Sequence, residues 1–242
     1  MGLQERREKE KDNRRMLILE SARSLFFAKG FKDVTVDEIA KLSELGKGSI
    51  YLYFSSKEEI YAQILLYHIE IFHHQASALF NNRKTAVDSL FEFSCLYADF
   101  LLQEPELFRM LMTFMLYADQ LGLSEEQYKN IVATTRKAID VIGCVLKYGI
   151  DSKEFPSTID IKYNQFILWG MLNGIIALHI FAGAEGKRRE TIHSSIKSAL
   201  KIHVQGLKQI NEDFFNSRKN VYTQFACEYE ESVESRLLNG GA

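Results

Sequence analysis

Proline is nearly absent from this 242-residue chain: Pro105 and Pro156 are its two prolines. Glycine is sparse too, at fourteen residues, and no segment sustains the alternation of Val, Ile or Thr that a half-buried strand requires. So few breakers over such a length argue against an all-β or loop-rich protein and predict an all-α fold. Cysteine is scarce as well. Cys95, Cys144 and Cys227 are odd in number, far apart and without a C-x-x-C pair. They read as reduced thiols of a cytoplasmic protein, not as a disulfide or zinc framework. Neither sign of charge dominates, with 30 Lys+Arg against 32 Asp+Glu. That balance excludes a blanket attraction to nucleic acid, so any DNA contact has to come from a local patch.

Long apolar runs are also missing, with one exception. Phe166 to Ala184 is apolar except for Asn173 and His179, and contains Gly170-x-x-x-Gly174. Its length approaches the ~20 residues of a membrane span. No clear Lys/Arg-rich flank precedes it, so the expectation is a helix buried on two sides, and no membrane partner. Upstream, Glu5 to Lys11 mixes acids and bases and has none of the apolar core of a signal peptide.

Catalytic patterns are absent in the same sense. His68, His73, His74, His179, His193 and His203 are scattered, and no nucleophile elbow, phosphate loop or H-E-x-x-H occurs. Glu70 and His74 lie one turn apart without further ligands. No constellation of catalytic roles can be assembled, and neither an enzyme, a metal nor a cofactor is expected.

What the chain does contain is a series of helices with clear start signals. A mixed-charge lead-in over 3–15 runs into a helix whose Ile18, Ala22, Leu25 and Phe26 share one face and which ends near Gly30. Thr35 followed by Glu38 is a capping box opening a short helix at about 36–42. Ser43-Glu44-Leu45-Gly46 breaks the periodicity, and Lys47 to Tyr53 leaves room for two turns. Ser56 to Glu59 is read as a second capping box, opening a long helix to about Phe80. Beyond it the expected helices are 84–103, 105–121, 124–149, 159–183, 188–212 and 217–238. Three short helices, with a tight turn between the second and third, followed by a long one are what a helix-turn-helix unit demands.

At these positions the sequence resembles the TetR family of bacterial regulators. The residues that carry the resemblance are Thr35-Val36-x-x-Ile39-Ala40, Lys47-Gly48-Ser49-Ile50-Tyr51-x-Tyr53-Phe54 and Ser56-Lys57-Glu58-Glu59-Ile60, with Ala22, Phe26 and the Gly30-Phe31 corner. The resemblance implies two domains: a helix-turn-helix DNA-binding domain over 1–56, and an effector-binding and dimerisation domain over 57–242. One departure stands out. The family usually has glycine at the position of Glu44 and a small hydroxyl residue at that of Gly46, so either Glu44 takes left-handed dihedrals or the turn is reshaped.

The resemblance assigns Thr35, Ser49, Tyr53 and Lys57 to DNA phosphates. Thr35 and Lys57 stand at helix N-termini, where exposed N–H groups and the macrodipole favour an anion. Gly48 allows close approach of the backbone, and Lys47 and Tyr51 are candidates for base edges or the groove wall. The helix lacks arginine, which removes its bidentate readout of guanine. The implied function is that of a dimeric repressor on a palindromic double-stranded DNA operator, its half-sites ~34–36 Å or a multiple apart. A homodimer is expected through 159–183 and 188–212, as a four-helix bundle. Aromatic and methionine residues crowd the body. Tyr97, Phe100, Met112, Met115, Tyr117, Trp169 and Asn173 are the candidates to line a pocket for a hydrophobic small-molecule effector, fatty-acyl or flavonoid-like. Arg109 is read as either a partner for an acidic group or a surface residue. The alternative is a helical dimeric ligand-binding or interaction protein without operator binding.

Overall fold

The computed structural model describes residues 3–79, 84–180 and 185–209. These are helical, with no strand among the described residues: α1 (Leu3–Lys29), α2 (Val36–Leu42), α3 (Lys47–Tyr51), α4 (Lys57–Leu79), α5 (Ala86–Gln103), α6 (Pro105–Tyr117), a 3-10 turn (Ala118–Gln120), α7 (Glu125–Asp151), α8 (Ile161–His179) and α9 (Glu185–Gln209). The helix expected at 217–238 lies outside the described residues. Pro105 sits in the first turn of α6, where its missing N–H leaves no bond unmade. Gly30 takes φ +82° at the end of α1, and its N–H bonds back to the Phe26 carbonyl at 2.9 Å.

The chain divides into two compact units, 1–74 with 100–138, and 75–99 with 139–242. In the first, Ile18, Ala22 and Phe26 of α1 meet Ile39 of α2, Ile50 of α3 and Ile60 of α4 in a core from which water is excluded. Each of the isoleucines and Phe26 contributes roughly 1.5–3 kcal/mol on burial. Tyr61 is buried beside Phe26 and Phe31, with ring centroids 5.8 and 5.1 Å away. Its hydroxyl donates to the Met110 carbonyl at 2.7 Å, which fixes α4 to α6. Arg23 of α1 pairs with Glu104 at 2.7 Å, and its Nη1 lies 3.5 Å from Nε2 of His68. Burial, followed by the Arg23 charge, holds the His68 imidazole down to about 4.

The second unit is built from the ends of α5 and α7 with α8 and α9. Leu90, Leu146, Leu168, Leu172, Ile192 and Ile196 are among its buried residues. The Glu154 carboxylate accepts the Ala86 N–H at 2.8 Å, capping the start of α5 from the turn after α7. Gly149 of α7 is pressed against the Phe155 ring, and a Cβ there would collide with it. Arg189 of α9 grips Asp99 of α5 with two bonds of 2.7 Å, while His193 approaches the same carboxylate at 2.8 Å.

Helix α8 departs from the expectation of burial on two sides. Leu168, Leu172 and Ile176 face inward, but Tyr163, Phe166, Ile167, Gly170, Gly174, Ala177 and Leu178 are exposed. That spacing places them on one stripe. Hydrophobicity all round the helix reported two apolar faces correctly, yet within one chain only one of them is covered. No helix among the described residues is long and apolar enough to cross a membrane.

Candidate nucleic-acid interface

The site is organised by how α2 stops and α3 starts. Thr35 caps α2: its hydroxyl accepts the Glu38 N–H at 3.3 Å, and the Glu38 carboxylate accepts the Thr35 N–H at 2.9 Å. The box leaves Thr35 exposed at the helix end. The Lys29 ammonium, 2.6 Å from Glu38, and then the Thr35 bonds hold the Glu38 carboxyl down to about 2.

Helix α2 ends at Ser43, and Glu44 takes φ +55°. The Leu45 N–H reaches the Ala40 carbonyl at 2.9 Å and the Glu44 N–H reaches Lys41 at 3.3 Å. This is a Schellman closure with glutamate in the left-handed position. The turn therefore keeps its geometry and absorbs ~1–2 kcal/mol of strain at a residue with a Cβ. Gly46, at φ −72° and ψ 147°, is the N-cap of α3 and supplies the carbonyl that accepts from Ser49 and Ile50. Ile50 and Phe54 are fully buried, which fixes the opposite face outward.

On that outward face Lys47, Gly48 and Tyr51 are exposed, while Ser49 and Tyr53 are half-buried. A Cβ on Gly48 would meet nothing within 4 Å. The Lys47 ammonium lies 2.8 Å from the Asp37 carboxylate, which raises its pKa through that bond. Leu52 is 81% exposed directly after α3. Sequence reasoning missed it, because an aliphatic residue between two tyrosines reads as core.

Two capping expectations are modified. Ser56 does cap α4, its hydroxyl accepting the Glu59 N–H at 3.1 Å. The Glu59 carboxylate, however, reaches one residue further back, taking the Ser55 N–H and hydroxyl at 2.6 Å each. Lys57, expected at a phosphate, turns its ammonium inward. It donates to the carbonyls of Phe31 and Val34 at 2.8 Å and lies 4.4 Å over the Phe31 ring. Its backbone N–H remains at the helix start.

A model of bacterial regulatory proteins of the tetR family matches residues 18–64. Residues 18–64 thus resemble the DNA-binding segment of tetR-family regulators. Among curated relatives, the HTH-type transcriptional regulator YhgD of Bacillus subtilis is 46% identical over 52 residues, 22% of this chain and 27% of its own length. The matched segment thus spans about a quarter of that relative. The transcriptional repressor NicS of Pseudomonas putida is 25% identical over 162 residues, 67% of this chain and 75% of NicS. Among solved structures, FadR of Bacillus subtilis in complex with stearoyl-CoA superposes with a TM-score of 0.66 at 19% identity, covering 79% of this chain and 98% of that one. At that identity the likeness concerns the fold: a TetR-type helix-turn-helix followed by a helical body.

In the helices beyond residue 64, the expected pocket residues fall into separate groups. In the second unit, Tyr97 and Asn173 are buried and bonded, hydroxyl to Oδ1, at 2.8 Å, and the Asn173 amide donates to the Trp169 carbonyl at 2.9 Å. Burial raises the Tyr97 pKa, keeping the phenol protonated. In the first unit, Phe100 stacks on Phe72 at 5.5 Å and Met112 is half-buried. Met115 and Tyr117 are exposed on α6, at 43% and 51%. Arg109 is a surface residue, lying 4.8 Å over the Phe27 ring.

Proposed function

We propose that this regulator is a homodimeric repressor that reads a palindromic operator with α3 and is released by a hydrophobic small molecule. The observation that carries the reading is the outward face of α3. Ile50 on its inner side and Phe54 just beyond its end are sealed in the core, while Lys47, Gly48 and Tyr51 face solvent. Gly48 has open space around it, so a glycine there serves an outside approach: a duplex backbone that a side chain would hold off. Thr35 and the N–H groups at the starts of α2 and α4 take phosphates, with Ser49 and Tyr53 beside them. Lys47 exchanges Asp37 for DNA, Tyr51 lines the groove, and Leu52 offers an apolar contact of the kind a thymine methyl accepts.

The dimer is proposed through the open stripe of α8 together with α9, where Gly170 and Gly174 leave room for a partner helix. The effector is proposed as a fatty-acyl-type ligand of the body, with Tyr97, Trp169 and Asn173 as its polar and aromatic contacts. FadR of Bacillus subtilis, similar in fold, was solved in complex with stearoyl-CoA. Such a ligand acts only by binding the off-operator state more tightly.

The test is selection of duplexes from a palindromic random pool by the full-length protein, followed by mobility shift. Retarded duplexes with a two-fold sequence and loss of retardation for Tyr51→Ala are expected. No retardation at low salt would leave a helical ligand-binding or interaction protein and overturn the reading.

A further inference from the structure

Helix α1 begins well before the bundle does. From Gln4 to Arg14 every residue is exposed, and the first buried side chain is that of Ile18. At ~1.5 Å of rise per residue, the helix upstream of Arg15 is on the order of 18 Å long. A polar helix of this kind is held by i,i+4 pairs, such as Glu10 with Arg14 at 2.6 Å, and contributes nothing to a core.

Charges of both signs occur along it, but one line of the helix is basic. Arg7, Lys11 and Arg14 follow one another at spacings of four and three, and Ile18 continues the same line. The acids Glu5, Glu8 and Asp12, with Lys9 among them, lie off that line, and Glu10 borders it beside Arg14. Since Ile18 points into the head, the basic line lies on the head's own side of α1, extended past the end of the bundle. The place of departure is also fixed. Arg15 lies with its guanidinium 5.4 Å over the Phe54 ring and bonds to Gln63 at 2.6 Å. Phe54 follows α3 by three residues, so the projecting segment leaves the head beside the C-terminal end of the candidate reading helix.

We infer that residues 4–14 form a helical arm whose basic line, Arg7, Lys11 and Arg14, grips the phosphate backbone of DNA flanking the half-site. This rests on the operator-binding reading above. Arg14 exchanges its Glu10 partner for phosphate, and the arm supplies affinity without reading sequence.

The test uses the full-length chain and the duplexes it selects, prepared with and without ~10 bp of fixed flank. Wild type is expected to bind the flanked duplex at least tenfold more tightly. The triple variant Arg7→Ala, Lys11→Ala, Arg14→Ala is expected to bind both duplexes alike. For a dimer its salt slope should also be shallower by about 5, at ~0.9 per phosphate contact. The substituted residues are exposed and alanine favours helix, so circular dichroism of the variant should match wild type. If wild type retards duplexes but the triple variant keeps the flank preference and the slope, the arm is refuted and operator binding stands. If wild type retards none, both fall together.

Discussion

The ammonium of Lys57 donates to the carbonyl of Val34, 2.8 Å away and 23 residues upstream. With the Phe31 carbonyl at the same distance, this bond closes the α1–α2 corner onto the first turn of α4. A lysine in this place is a tie within the head before it is anything to DNA. Lys57→Met removes a charged donor from two carbonyls and should lower stability by about 2 kcal/mol. Arginine should not rescue it, because its planar fork does not match the Phe31 and Val34 carbonyls gathered around a point charge. Thermal unfolding of the two variants checks this; a melting temperature unchanged in Lys57→Met would contradict it.

Glu44 occupies a left-handed position that glycine adopts without strain. Glu44→Gly should therefore stabilise the protein by ~1 kcal/mol, or a few degrees in Tm, despite the added freedom of the unfolded chain. A drop in Tm would mean that the glutamate side chain makes a compensating contact.

Two groups give the acid side of the stability curve separate legs. Below pH 6.5 the unfolded chain protonates His68, whereas the folded imidazole stays neutral to about 4. Stability therefore falls as pH drops from 6.5 to about 4, and His68→Leu should flatten that leg. Glu38 has a folded pKa of about 2 against an ordinary 4.5. Its contribution is complete above pH 4.5 and is lost as pH falls toward 2, and Glu38→Gln should flatten that lower leg alone. Denaturant midpoints measured across pH 7 to 2 separate the two. Identical curves for His68→Leu and wild type between pH 6.5 and 4 would refute the assignment.

Leu178 is 73% exposed on the open stripe of α8. Leu178→Glu should convert a dimer to monomer in sedimentation velocity while leaving helix content unchanged, since the residue is largely exposed. A variant that sediments as wild type would remove this stripe from the interface.

Much of this was legible because it is local. The Thr35–Glu38 box, the Gly30 cap and the first-turn Pro105 are interactions within a few residues, and sequence spacing is enough to find them. The sealed residues Ile50, in α3, and Phe54, just after it, were legible for the same reason, from their sharing a face. What sequence could not supply depends on partners distant along the chain. The Lys57 ammonium is satisfied by carbonyls more than twenty residues away, and Glu59 chose Ser55 over Ser56 by a difference of one residue in reach. Apolar composition likewise marked α8 as doubly covered, whereas within the chain one of its two apolar faces is open. Met115 and Tyr117 looked like pocket residues because residue type says nothing of which way a helix is turned.

The bond between Tyr97 and Asn173 places a lock inside the second unit. Any guest offering an acceptor to that phenol must first displace the asparagine, so arrival trades one bond for another and the enthalpy gained is small. A guest that is purely hydrocarbon leaves the lock shut. Discrimination between the two kinds of visitor would then turn on which one opens α5 from α8, not on which one binds more tightly.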